Sequence, residues 1–215
     1  MPVPKKNPIA EGKRVLLRDV VEEQIREAIM DGTLEPGESL NDKALQDWLG
    51  VSRTPIRDAL NELTRAGFIE MEPNRYTRVA TPKPEETLEA MQTLGVLLGG
   101  VVRLAVTRLS DAERDEVLAI LRRSRAQLRD GKFPEARRTV LGMWNLLAAQ
   151  CGNSLLLKVY TDTAAGLMFK LPGEYFTSMF AGAELEALMD DLDAAIAGGE
   201  SVAAELATEK LFKLP

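Results

Sequence analysis

Histidine is missing from all 215 residues of this chain, cysteine occurs once, and aromatic residues make up 5%. Each shortage excludes something. Without histidine, the side chain that most often moves protons near neutral pH is gone, and so is the commonest metal ligand. Carboxylate pairs such as Asp190-Asp191 and Glu85-Glu86 are adjacent in helical sequence, so their side chains diverge and point to solvent. The chain has no phosphate-cradling glycine loop, nucleophile elbow or pair of cysteine ligands. These gaps predict a protein with no enzymatic activity, no bound metal and no cofactor. The lone Cys151 cannot form an internal disulfide, and it closes an apolar helical pattern, which predicts a core position. No apolar run approaches ~20 residues, and Met1-Pro2-Val3-Pro4-Lys5-Lys6-Asn7-Pro8 has no hydrophobic signal core. A cytoplasmic protein that stays off membranes is the expectation.

What is present is core material and well-placed charge. With 45% hydrophobic residues at this length, the chain can build two modest domains or one large one. The net charge is −6, and residues 1–82 hold 12 Lys+Arg against 14 Asp+Glu, so bulk charge gives no pointer to nucleic acid. Placement does. Lys5, Lys6, Lys13, Arg14 and Arg18 cluster near the start, and Lys43, Arg53, Arg57, Arg75 and Arg78 fall on elements that form one unit.

That unit centres on the stretch from Ser52 to Leu60. Ser52 is a natural N-cap, Pro55 sits in the first turn where its missing N–H costs little, and Ile56, Ala59, Leu60 and Leu63 repeat as a buried stripe. Arg53 and Arg57, four residues apart, then project together from the N-terminal part of the helix. Upstream, Asp42 to Leu49 reads as a short amphipathic helix ended by Gly50, and Arg18 to Met30 as a first helix ended by Asp31-Gly32. Downstream, Gly67 stops the central helix. Phe68 to Met71 and Thr77 to Ala80 then alternate as two strands about a Pro73-Asn74-Arg75 turn.

Residues 14–80 resemble the winged-helix domain of GntR-superfamily bacterial transcription regulators. The likeness rests on Gly32, Leu34, Pro36 and Gly37, on the run Leu49-Gly50-Val51-Ser52-Arg53-Thr54-Pro55, and on Leu63 followed by Gly67. It implies a helix-turn-helix that lays its second helix in the major groove, where Arg53 and Arg57 can grip guanine edges. Lys43, Ser52 and Thr54 are then candidate contacts to phosphate or base, and Arg75 a wing contact. Tyr76 stands where the family has glycine after the wing arginine.

Beyond the proline-flanked linker at Thr81-Pro82-Lys83-Pro84 the pattern is helical throughout. Segments near 85–109, 111–130, 134–151, 153–171, 174–182, 184–198 and 200–213 read as helices. The Gly152-Asn153 pair and Ala195-Ile196 before Gly198 resemble the helical effector-binding and dimerisation domain of the FadR-like GntR subfamily. Many members hold a metal with one aspartate and three histidines. Those positions fall here on Leu141, Asn145, Met189 and Leu211, while an arginine and a glutamate often buried in the domain's first helix become Leu94 and Leu98. The replacements disfavour a metal-bridged carboxylate and predict an apolar pocket for a small apolar or weakly polar metabolite. Arg103, Leu141, Trp144, Asn145, Met189 and Leu211 are the candidate effector residues, with Arg103 and Asn145 pointing inward to orient a head group.

The expected fold is mainly α: a winged helix-turn-helix with a small β-hairpin wing over residues 1–82, and an all-α antiparallel helical bundle over 83–215. The expected protein is a cytoplasmic, homodimeric, metabolite-responsive repressor of a palindromic double-stranded operator. The alternative is a DNA-binding protein whose helical domain only dimerises. Leu94, Val96, Leu97, Leu98, Val101 and Val102 cover more of a helix than one core face needs, which predicts a dimer contact that includes apolar residues of this helix or its neighbours.

Overall fold

The computed structural model describes residues 16–73, 75–171, 179, 180 and 182–215. By its contacts the chain falls into two compact units, Met1–Pro82 and Lys83–Pro215.

The first unit contains α1 (Leu17–Met30), α2 (Asp42–Leu49) and α3 (Arg53–Arg65), then the antiparallel strands β1 (Ile69–Glu72) and β2 (Tyr76–Val79). Asn41 starts α2, its side-chain oxygen accepting from the N–H groups of Lys43 at 2.9 Å and Ala44 at 3.3 Å. Gly50 ends it by taking a left-handed backbone, φ +71°, and donating its N–H to Gln46 O. Ser52 occupies the N-cap of α3 as expected, but its hydroxyl makes no capping bond. The third helical residue, a usual target of such a cap, is Pro55, which has no N–H to offer. The stripe Ile56, Ala59, Leu60 and Leu63 is buried with Val21, Ile25, Leu34, Leu45 and Phe68, and α1 packs across α3.

Gly67, at φ +81°, lets the Phe68 N–H reach Leu63 O at 2.9 Å. Phe68 is thereby part of the helix end, and β1 begins one residue later than the alternation predicts. The register pairs Ile69 with Val79 and Glu72 with Tyr76, so β2 starts one residue earlier than predicted. Tyr76 enters it with ordinary backbone: among the described residues the one positive-φ position outside glycine is Lys213.

The second unit is helical: α4 (Pro84–Ala105), α5 (Asp111–Arg129), α6 (Phe133–Gln150), α7 (Ser154–Phe169), α8 (Gly182–Ala197) and α9 (Ser201–Leu211). α4 stops four residues short of the predicted end because the N–H groups of Arg108 and Leu109 both turn back onto Ala105 O. That turn places Ser110 to cap α5 in a reciprocal box with Glu113. Most of the helix expected at 174–182 lies outside the described residues. Cys151 is 1% exposed, in the core.

α4 packs against α6, α7 and α9, while α5 packs against α6 and α8. By length and composition α4 could cross a membrane, yet half of that stretch is buried inside the protein. The same packing narrows the apolar surface that α4 can offer a partner. Leu94, Leu98, Val101 and Val102 are spent on the unit's own core, because a helix enclosed by three others needs more than one apolar face. Of the six residues, exposed Val96 and half-buried Leu97 remain for a partner.

Candidate DNA-binding surface and effector cavity

In the winged unit, Lys43, Ser52, Arg53, Thr54, Arg57 and Arg75 are all exposed. The α2–turn–α3 geometry brings Lys43, Ser52, Arg53 and Thr54 to the entry of α3, with Arg57 one turn further in. The Ser52 hydroxyl makes no capping bond and lies exposed beside the first-turn N–H groups of α3.

The charges around that helix are unevenly paired. Arg53 Nε lies 2.7 Å from Asp42 Oδ2, a bond from the start of α3 to the start of α2. Arg65 pairs with Glu62 at 2.5 Å and Arg75 with Glu72 at 2.6 Å. On the wing, Arg78 gives Glu70 two N–H bonds, at 2.9 and 2.6 Å, and stacks 4.6 Å from the Tyr76 ring centroid. Tyr76 thus occupies the family's glycine position by supporting Arg78. Arg57 has no ion-pair partner among the described residues. Arg18 pairs with Asp19, while Lys5, Lys6, Lys13 and Arg14 lie outside the described residues.

The helical unit contains a partly open cavity of about 110 Å³ lined mostly by hydrocarbon and aromatic side chains from α4, α5, α6, α7, α8 and α9, including Leu94, Leu121, Val140, Trp144, Met189 and Leu211. Phe212 closes one side and meets Trp144 edge-on, ring centroids 6.0 Å apart. Trp144, Met189 and Leu211, three of the predicted effector residues, therefore share one wall.

The other three do not reach it. Arg103 is exposed on α4 and pairs with Glu205 at 2.5 Å, which keeps its charge in water. Asn145, one position on from Trp144, is rotated to the outside of α6 and accepts a hydrogen bond from Tyr160 Oη at 2.8 Å. Leu141 is half-buried against the core and absent from the lining. The charged residue in the wall is instead Arg137, one of whose guanidinium nitrogens donates to Met168 O at 2.7 Å. Burial pushes this guanidinium below its ordinary value, and it still carries its charge at neutral pH. A signal for it was present: Phe133, Ala136, Arg137, Val140 and Trp144 follow the i, i+3, i+4, i+7 spacing of a buried face.

The donor set does not suit a divalent ion. Leu141, Met189 and Leu211 offer no hard ligand, the amide oxygen of Asn145 is engaged by Tyr160, and no group of three His, Cys, Asp or Glu converges among the described residues.

Comparison with known proteins agrees with both halves. The profile described as "Bacterial regulatory proteins, gntR family" matches residues 17–79, and the FCD domain profile matches residues 89–213. The chain belongs to the GntR family. It is a transcriptional regulator with a DNA-binding winged helix-turn-helix and an FCD effector-binding domain, and not an enzyme. It is 28% identical over 209 residues to the HTH-type transcriptional regulator Mce2R of Mycobacterium tuberculosis, covering 89% of this chain and 87% of that one. It is 36% identical over 87 residues to the Nta operon transcriptional regulator of Aminobacter aminovorans, 40% of each chain. The solved E. coli McbR/YncC shares the fold with a TM-score of 0.71 at 20% identity, over 93% of this chain and 94% of that one.

Proposed function

We propose that this GntR regulator is a cytoplasmic, homodimeric, metabolite-responsive repressor that reads a palindromic operator. Arg57 and Arg53 contact bases in the major groove, Lys43, Ser52 and Thr54 contact phosphate or base, and Arg75 contacts DNA from the wing. The observation that carries the DNA half is the exposed entry of α3, where Arg57 stands one turn from Arg53 with no carboxylate of its own among the described residues. The cavity supports the sensor half, because concave apolar spaces with few polar groups are where small molecules bind.

A single winged helix reads too few base pairs for genomic specificity, so a second copy is needed. Val96 on α4, at 58% exposure, and Leu155 on α7, at 76%, supply unburied apolar surface for it, together with Val159 on α7 and Val202 and Leu206 on α9. α4 packs against both of those helices. Fluorescence anisotropy on the DNA upstream of the chain's own gene, with and without small-molecule extracts, tests the whole reading. Salt-sensitive binding to a two-fold site that an extract weakens supports it. Binding that no extract changes leaves a constitutive DNA-binding dimer.

A further inference from the structure

Of the two arginines at the entry of α3, one is held from behind. Arg53 Nε bonds Asp42 Oδ2 at 2.7 Å, whereas Arg57, one turn further in, has no ion-pair partner among the described residues. From this difference we infer that Asp42 is a positioning residue for base readout, one that orients Arg53 toward a guanine edge while lowering its attraction for phosphate. The inference rests on the DNA-reading surface proposed above and adds a residue to it.

The bond to Asp42 spends one nitrogen. A guanidinium carries five N–H donors, and those on the two terminal nitrogens form the fork that matches guanine O6 and N7. Among the described residues Arg53 makes no side-chain bond other than the one from Nε, so both terminal nitrogens stay available for a base. The Asp42 side chain is 30% exposed and that of Arg53 63%, which makes the carboxylate the fixed member of the pair and the guanidinium the one offered outward.

Backbone fixes where the anchor stands. Asp42 opens α2 directly after the Asn41 cap, Arg53 opens α3, and the two helices pack together. A long side chain tied between two helix starts has less freedom to lose when it meets a base, so more of the contact survives as affinity. Charge works in the same direction. The Asp42 carboxylate offsets the pull of Arg53 on phosphate, which is alike in every sequence, and leaves the fork to the base edge, which is not.

Fluorescence anisotropy of the full-length protein tests this on two duplexes of equal length, the two-fold site upstream of its own gene and an unrelated sequence. Asp42→Ala should lose about ten-fold on the operator, roughly three-fold per copy, the scale of ordering one long side chain. On unrelated DNA at low salt it should gain a few-fold. Asp42→Asn, which keeps the shape and a weaker acceptor, should lose less on the operator than Asp42→Ala. In an Arg53→Met background, Asp42→Ala should no longer weaken operator binding, and thermal melts of all variants should stay near wild type because Asn41 still caps α2. Operator affinity that holds level or rises in step with unrelated DNA, or an operator loss that persists in Arg53→Met, would overturn the role of Asp42. A wild-type protein that binds both duplexes equally would overturn the DNA-reading surface itself, and the assignment with it.

Discussion

The two units of this chain place arginine in opposite settings. In the winged unit, Arg53, Arg65, Arg75 and Arg78 lie in water with a carboxylate beside each, from Asp42, Glu62, Glu72 and Glu70. Exposed pairs of this kind contribute little to stability, so a DNA phosphate or base edge can replace the carboxylate at small cost. In the helical unit, Arg125 is 12% exposed and clamped between Glu186 and Asp190, each at 2.7 Å, while Arg137 faces the apolar cavity. There the protein environment has replaced water, and a change of partner is expensive. One residue type therefore stands in exposed, exchangeable pairs in one unit and in a desolvated setting in the other.

The largest break in that comparison should come from Arg57→Ala. Each copy would lose a base contact worth about 1 to 3 kcal/mol, felt twice in a dimer, while the melting temperature stays put because the side chain is exposed. Anisotropy on the operator and a thermal melt read the two quantities. Affinity unchanged within error would remove Arg57 from the reading set.

Next is Leu98→Ala, which opens a hole at a position with 0% exposure in the helical unit. It should lower unfolding free energy by about 2 to 5 kcal/mol, measured by urea titration. A loss below ~1 kcal/mol would mean that the core around α4 closes over the gap.

Asp42→Asn is a finer probe, freeing Arg53 from its 2.7 Å partner. Binding to unrelated DNA should strengthen a few-fold at low salt, and the salt slope of log affinity should steepen by up to about 0.9 per bound copy. An unchanged slope would show that the pair does not restrain Arg53.

The smallest effect concerns acid. Hydrogen bonds from Arg129, then Arg125, hold the Glu186 carboxyl down from 4.5 to about 2. A depressed folded-state value adds stability that is fully present above about pH 4.5 and is lost as pH falls toward 2. Melts of Glu186→Gln should lie below wild type at pH 6, with a gap that shrinks steadily as pH falls from 4.5 toward 2. A gap of undiminished size at pH 2.5 would assign the role of Glu186 to packing.

Local signals were readable wherever one residue decides an element. Gly50 and the Ile56–Leu63 stripe each settle a boundary or a face within a few positions, and the structure keeps both. The cavity was legible in its wall, through Trp144, Met189 and Leu211, and misread in its charge. Arg103 and Asn145 sit among apolar neighbours in sequence, but inward or outward is decided by which helix packs alongside. α9 offers Glu205 to Arg103, and α7 offers the Tyr160 hydroxyl to Asn145. Arg137 carried the better signal, a charge within a buried stripe. The α4 surface was overread for a related reason, since enclosure by α6, α7 and α9 cannot be counted from one helix.

The central contact proposed for the dimer is the entry of α3 against guanine edges in two major grooves. Methylation interference on the operator, with dimethyl sulfate placing a methyl on guanine N7, addresses that contact directly. The predicted result is loss of binding from methylated guanines in both half-sites, their centres about 10 base pairs or a multiple of that apart, and disappearance of the pattern in Arg57→Ala. Full binding to DNA methylated throughout the protected region would contradict it.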